Sequence, residues 1–295
     1  MSTFIRSPIT IFLLYCLTYM QAFPCFSAAS TPAGLTLYYW QEPADFVNFG
    51  DYLSLKIVER MVEGPVKVFK KKPPRNEKKL LALGSLLYFA YENDVLWGTG
   101  MNGKTPNKSD YTFTHLDVRA VRGPITRKFL IEKFNIECPE IYGDPALLMP
   151  YLFPEFDKQE YPSNDYIVIP HFSEKKLFPR SEHIVYPTDP WDQVVRKILD
   201  SKFVISSSLH GIIVAEAYGI PARMLRVTEN EFMTKYQDYY EGTNRPDFEF
   251  ATSVEEALRM GGESPIICDV EKLYDAFPFD YWPQIKITKP DFHKT

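Results

Sequence analysis

Residues 202–225, KFVISSSLHGIIVAEAYGIPARML, restrict the fold of this chain more than any other stretch. Phe203-Val204-Ile205 is a short β-branched run that predicts a buried strand, and Ile212 to Tyr218 mixes an apolar face with a polar one, as a helix does. Gly219 and Pro221 close that helix and release the chain into a second apolar run, Ala222 to Leu225. The stretch therefore reads as a β-α-β unit. Ser206, Ser207 and Ser208 fall on its strand-to-helix turn as N-cap candidates. The helix behind them opens with free amide groups and the positive end of a macrodipole, a geometry that binds anions.

The same alternation runs through the chain from residue 34, which predicts an α/β architecture with largely parallel sheets. Strands are expected at Leu35–Trp40, Leu80–Gly84, Val95–Trp97 and Val118–Val121, with helices at Tyr52–Val62 and Ile125–Phe134, the latter opened by Gly123-Pro124. A segment rich in Pro, acidic and aromatic residues, 151–164, is the best linker. Beyond it, strands are expected at Tyr166–Pro170 and His183–Tyr186 and helices at Trp191–Leu199, Ser253–Met260 and Val270–Phe277. Two α/β halves of similar size imply a cleft, with ligands beyond the carboxyl ends of the strands.

At 295 residues, 45% hydrophobic and 24% charged, the chain is long enough for two domains. A formal charge of −5 argues against a nucleic-acid partner. The basic run Lys67–Lys79, with Pro73-Pro74 inside it, reads as a solvated loop. Arg6, the apolar run from Ile9 and the small residues ending at Ala29 have the three regions of a secretory signal, so 1–29 is expected to be a signal-like or anchor segment. Its apolar core of about 14 residues is short of the roughly 20 that a spanning helix needs. The segment predicts a membrane-associated or secretory location, or a cytoplasmic one if translation starts at Met20. Of the four cysteines, Cys16 and Cys25 lie there, and Cys138 and Cys268 make neither a disulfide framework nor a zinc motif.

Four polar turns lie where α/β logic places a site. In NFGD, residues 48–51, Asp51 stands at or just inside a helix start, as a cap or as a functional carboxylate. DVLWGTGMNG, residues 94–103, runs a strand into a glycine-rich loop without the spacing of a dinucleotide fingerprint. Around the third turn lie Arg119, Arg122 and Arg127; Arg122 precedes a helix start, where a guanidinium fork suits a carboxylate or phosphate. In the fourth, SSSLHG, the helix dipole disfavours a charged His210 unless an anion arrives. No nucleophile elbow, HExxH pair or P-loop occurs, and five histidines without metal spacing predict no bound metal.

Together, NFGD, DVLWGTGMNGK, VRAVRGPITR, YGDPALL and SSSLHGIIVAEAYGIP, in this order over residues 35–227, resemble the polysaccharide pyruvyl transferase family, its bacterial exopolysaccharide ketal-pyruvate transferases above all. The resemblance implies a GT-B-like fold of two Rossmann-like domains with a cleft between them, residues 34–150 on the acceptor side and 165–290 on the donor-phosphate side. It implies transfer of pyruvate from phosphoenolpyruvate, as co-substrate and without a cofactor, to a sugar of a glycan or polysaccharide as a ketal. Ser208-Leu209-His210 stands where several members carry Arg-Leu-His, so the arginine is replaced, and Arg122-Gly123 stands for a common Arg-Asp. His210 and Asp51 are then the expected acid and base in either order, and Arg122 the donor clamp. Arg127, Ser208, Leu209, Asn48 and Asn102 complete the expected substrate contacts. A nucleotide-sugar glycosyltransferase and a non-catalytic glycan-binding protein are the alternatives, because fold does not fix function.

Overall fold

Short aliphatic runs, each stopped by a turn, build two four-stranded sheets in the computed structural model, which describes residues 34–41, 46–69, 73–283, 285 and 288–293. The signal-like segment 1–29 lies outside the described residues. The first sheet holds β1 (Thr36–Tyr38), β2 (Lys79–Leu81), β3 (Val95–Trp97) and β4 (Asp117–Ala120) in that spatial order. The second holds β5 (Ile167–Ile169), β6 (Val204–Ser206), β7 (Ala222–Leu225) and β8 (Phe250–Ala251), again in order. All pairs are parallel, with Thr36 opposite Lys79, Val95 opposite Asp117, Ile167 opposite Val204 and Val204 opposite Ala222. Parallel sheets need both faces covered, which is why most of these strands are buried at every residue.

The helices supply that cover. They are α1 (Phe49–Met61), α2 (Pro124–Phe134), α3 (Met149–Leu152), α4 (Trp191–Leu199), α5 (Leu209–Ala217), α6 (Thr234–Gly242), α7 (Val254–Met260) and α8 (Val270–Asp275). In α1, Asn48 caps the helix by accepting the Gly50 N–H at 3.0 Å, and Phe49, Leu53, Ile57 and Met61 form its buried stripe. In α5 the burial extends nearly all round, through Leu209, Ile212, Ile213, Val214 and Ala215, as expected of a central helix. One hydrophobic core joins residues of both sheets, including Leu37, Trp97, Ile169 and Val204. Residues Gly34–Thr295 form one compact unit. The chain after β8 returns to the first sheet: Trp97 Nε1 donates to the Leu273 carbonyl at 2.9 Å, and its ring meets Phe277 edge-on at 4.8 Å.

Several expectations are corrected. The strand at His183–Tyr186 is an isolated bridge between Val168 and Ile184. Helix α1 starts three residues early, at Phe49, because its cap is Asn48 at the front of the NFGD turn, whereas α5 starts at Leu209 directly behind Ser208, one of the expected caps. Lys79 is no solvated loop residue; it opens β2, fully buried, and its ammonium pairs with Asp94. Helix α6 and strand β8 were not foreseen. The sequence TKYQDYYEG has no aliphatic stripe, yet Tyr236, Tyr239 and Tyr240 share one buried face at helical spacing. Among the described residues no helix is long and apolar enough to cross a membrane, and Cys138 and Cys268 are free thiols.

Candidate active site

The chain beyond the carboxyl ends of the strands converges on one cavity of about 250 Å³. Trp40, Asn48 and Asp51 come from beyond β1, Gly84 and Ser85 from beyond β2, and Asn102 and Lys104 from beyond β3. His171 and Phe172 follow β5, Ser208, Leu209 and His210 follow β6, and Glu231 and Lys235 follow β7. Both sheets thus contribute. Larger grooves of about 840 and 710 Å³ touch the chain on the other side, just before β6 at Asp200 and just before β7 at Ile220 and Pro221.

Within the cavity wall the serine cluster serves the turn itself. Ser206 Oγ accepts the Ser208 N–H at 3.0 Å, and Ser207 Oγ donates to Glu174 Oε2 at 2.5 Å while accepting the His171 N–H at 2.8 Å. Those bonds hold the start of α5 against β5. His210, the second residue of α5, has a side chain only 12% exposed. Gly50 makes room for it: a Cβ at that position would fall 2.2 Å from His210 Nδ1. Burial, then the positive charges of Arg122 and Lys235, push the imidazole down to about 3, so it is neutral at pH 7. His210 Nε2 faces Asp144 Oδ2 at 3.7 Å. Asp144 is fully buried, and that burial pushes its carboxyl up to about 6, against the pull of the Ala146 amide, Arg122 and the Gly84 amide.

A basic cluster lies across the cavity. Lys235 Nζ pairs with Glu231 Oε2 at 2.5 Å, Lys104 Nζ lies 3.5 Å from Glu231 Oε1, and His171 Nδ1 lies 3.7 Å from the same oxygen. Burial pushes Lys235 below the ordinary lysine range, and burial together with Lys235 pushes His171 down to about 4. Trp40 and Phe172 form an aromatic wall, their rings 5.5 Å apart.

The two arginines expected in the site stand elsewhere. Arg122 is fully buried behind Ser85, its Nε 3.1 Å from Asp238 Oδ2, its Nη1 donating to Ser85 Oγ at 3.0 Å and its Nη2 to the Met101 carbonyl at 2.6 Å. Asp238 also accepts from the Thr126 amide at 2.9 Å and hydroxyl at 2.7 Å. The group locks the β4–α2 turn to α6. Gly123 belongs to the same packing, since a Cβ there would fall 1.7 Å from the Asp238 carbonyl oxygen. Arg127 points away from the cavity, with Nε donating to the Cys138 carbonyl at 3.0 Å.

The family profile of polysaccharide pyruvyl transferases matches residues 48–229. The chain belongs to the polysaccharide pyruvyl transferase family. It is 27% identical over 205 residues to the uncharacterized protein L143 of Acanthamoeba polyphaga mimivirus, spanning 65% of this chain and 70% of that protein. It is 28% identical over 217 residues to the succinoglycan biosynthesis protein ExoV of Rhizobium meliloti, spanning 68% of this chain and 63% of that protein. Among solved structures, an uncharacterized protein of Klebsiella pneumoniae overlays with a TM-score of 0.46 at 14% identity, over 84% of this chain and 100% of that one.

In this family member, the matched region holds His210, Asp51, Ser208, Leu209, Asn48 and Asn102, all on the cavity. Sequence reasoning missed Asp144, Lys104, His171, Glu231 and Lys235. Asp144 and Lys104 lie inside motifs already noticed, YGDPALL and GTGMNGK, so a signal existed. For Glu231 and Lys235 there was none, because their segment shows no apolar period. Among the described residues no three His, Cys, Asp or Glu side chains converge as a metal site.

Proposed function

We propose that this protein transfers pyruvate from phosphoenolpyruvate to a sugar of a polysaccharide as a ketal. The observation that carries the reading is the composition of one small cavity: two lysines, the start of α5, a neutral buried histidine and the Asp51 carboxylate in about 250 Å³. A three-carbon phosphate ester suits that volume better than a nucleotide sugar, since drug-sized ligands take roughly 300–1,000 Å³. Lys235, Lys104 and the α5 amides supply the positive field for the donor's phosphate and carboxylate. Arg122 supports that wall from behind through Ser85. Trp40 and Phe172 offer a flat apolar face to a sugar ring, with Asp51, Asn48 and Asn102 near for its hydroxyls. His210 and Asp51 share the proton transfers: each attacking hydroxyl gives up one proton, one of the two arrives at C3 of the donor, and the other leaves with the phosphate as its bond to C2 breaks.

The test is incubation with phosphoenolpyruvate and a panel of galactosides and glucosides. Inorganic phosphate and acid-labile pyruvate on the sugar are the expected products; a panel that yields neither overturns the reading. Lys235→Met should raise the KM for phosphoenolpyruvate roughly 10- to 100-fold, the range of one charge-assisted hydrogen bond, with a smaller change in kcat. Steady-state kinetics with varied donor check this. Gly50→Ala should leave the helix content unchanged by circular dichroism, yet lower turnover by about 10²-fold, because its new methyl must push His210 out of place.

A further inference from the structure

Behind the cavity wall, one pair of buried polar atoms has no partner that explains it. Asp144 caps the short turn Pro145–Leu148 with Oδ1 alone, which accepts the Ala146 N–H at 3.0 Å. Its Oδ2 is left facing His210 Nε2 at 3.7 Å, and neither atom completes a hydrogen bond among the described residues, although the Gly84 amide bears on the same carboxylate. Unpartnered buried polar atoms destabilise a fold and are rare in native structures. Two that face each other mark a contact that closes during use, since catalytic hydrogen bonds are often long in an empty site and tighten when substrate arrives.

We propose that Asp144 is the positioning residue of His210, its Oδ2 accepting the Nε2–H and so holding the imidazole as the tautomer whose Nδ1 is unprotonated. The Nδ1 edge lies against Gly50, where the missing Cβ keeps it clear. The geometry stands by itself; the step that follows rests on the pyruvyl-transfer reading. As the acceptor hydroxyl oxygen bonds to C2 of the donor, the hydroxyl proton passes to Nδ1. In the same step the imidazolium gives that proton to C3, whose new C–H bond uses the electron pair of the former double bond. The phosphate then leaves C2 with the electron pair of its C–O bond, and the second hydroxyl bonds to C2 while its proton passes to the departing phosphate. Asp144 stays ionised throughout and offsets Arg122 and Lys235, which both oppose a charged imidazole. The other charged or titratable groups around the pair are Asp51 on α1, Asp238 on α6 in its bond with Arg122, and Lys104, His171 and Glu231 across the cavity. This division of labour, one carboxylate setting the tautomer and charge of one histidine, is a general device of proton-transfer sites.

Nitrogen-15 NMR of the imidazole side chains in the wild-type protein tests the pair directly, with the His210 signals assigned by their loss in His210→Gln. The expected result at pH 7 is a neutral ring with the proton on Nε2. A proton on Nδ1, or an imidazolium, overturns the proposal. In Asp144→Asn the cap oxygen is kept, but the amide can donate toward Nε2, so the tautomer should shift to Nδ1–H and turnover should fall by about 10²-fold with little change in donor KM. A variant with wild-type tautomer and wild-type turnover makes Asp144 a turn cap only. If that variant does not fold, the wild-type tautomer alone decides. An Nε2–H tautomer in a protein that releases no phosphate from phosphoenolpyruvate keeps the pair and removes the reaction; phosphate release with an Nδ1–H tautomer does the reverse.

Discussion

Replacing His210 by glutamine should lower pyruvyl transfer by roughly 10²- to 10⁴-fold, the range for a lost acid or base, while the protein stays folded. The side chain is 12% exposed and sits between Gly50 and Asp144, so glutamine fits the space and can still donate toward Asp144. Steady-state kinetics with varied phosphoenolpyruvate give the measurement. Near-normal turnover would reduce the turn to a structural cap. The same variant carries a pH signature. In the fold His210 is held near 3, while unfolded it titrates at about 6.5. The unfolded chain therefore binds a proton that the folded chain refuses, and wild-type stability is lost as pH falls below about 6.5 toward 3. Removing the imidazole removes that loss. The denaturation midpoint of His210→Gln should fall less steeply than the wild type's between pH 6.5 and pH 4.

Arg122→Ala should unfold the protein more readily instead of acting on the donor. The guanidinium and the Asp238 carboxylate are both fully buried, and deletion of one member leaves the other charged and unpaired in the interior. Such losses cost about 3–5 kcal/mol, a large fraction of the stability of a typical domain. The Met101 carbonyl and Ser85 hydroxyl lose their donor at the same time. Urea denaturation should show a markedly lower midpoint, and whatever activity survives should fall with the folded fraction. A stable, folded Arg122→Ala with only a raised KM for phosphoenolpyruvate would mean that the guanidinium reaches the donor after all. Arg122→Lys should recover part of the stability, since the charge is kept but the fork that spans Asp238, Ser85 and Met101 is not.

The turn at 206–210 was legible because two different periodicities meet there, and a polar cluster between a buried strand and a buried helix has few places to go. Asn48 and Asp51 were legible for the same reason at the start of α1. Arg122 shows where that logic stops. A basic residue before a helix start looks the same in sequence whether it faces a ligand or a carboxylate 116 positions later, and the partner lies on α6, the helix with no aliphatic pattern to reveal it. Lys79 is a second case. It ends a run of lysines that reads as solvated, yet Asp94, just before β3, takes it into the core.

The sequence by itself determined the α/β class, most of the strands and helices, and the turn residues that meet at the cavity, because local period and capping chemistry depend on neighbours within a few positions. Only the tertiary structure decided which charges are spent in the interior and which face the cavity. Pairing of Arg122 with Asp238, of Lys235 with Glu231 and the facing of Asp144 and His210 all depend on contacts between distant segments. The energy of a buried charge is set by the group opposite it and by the water excluded around both, and neither is a property of local sequence.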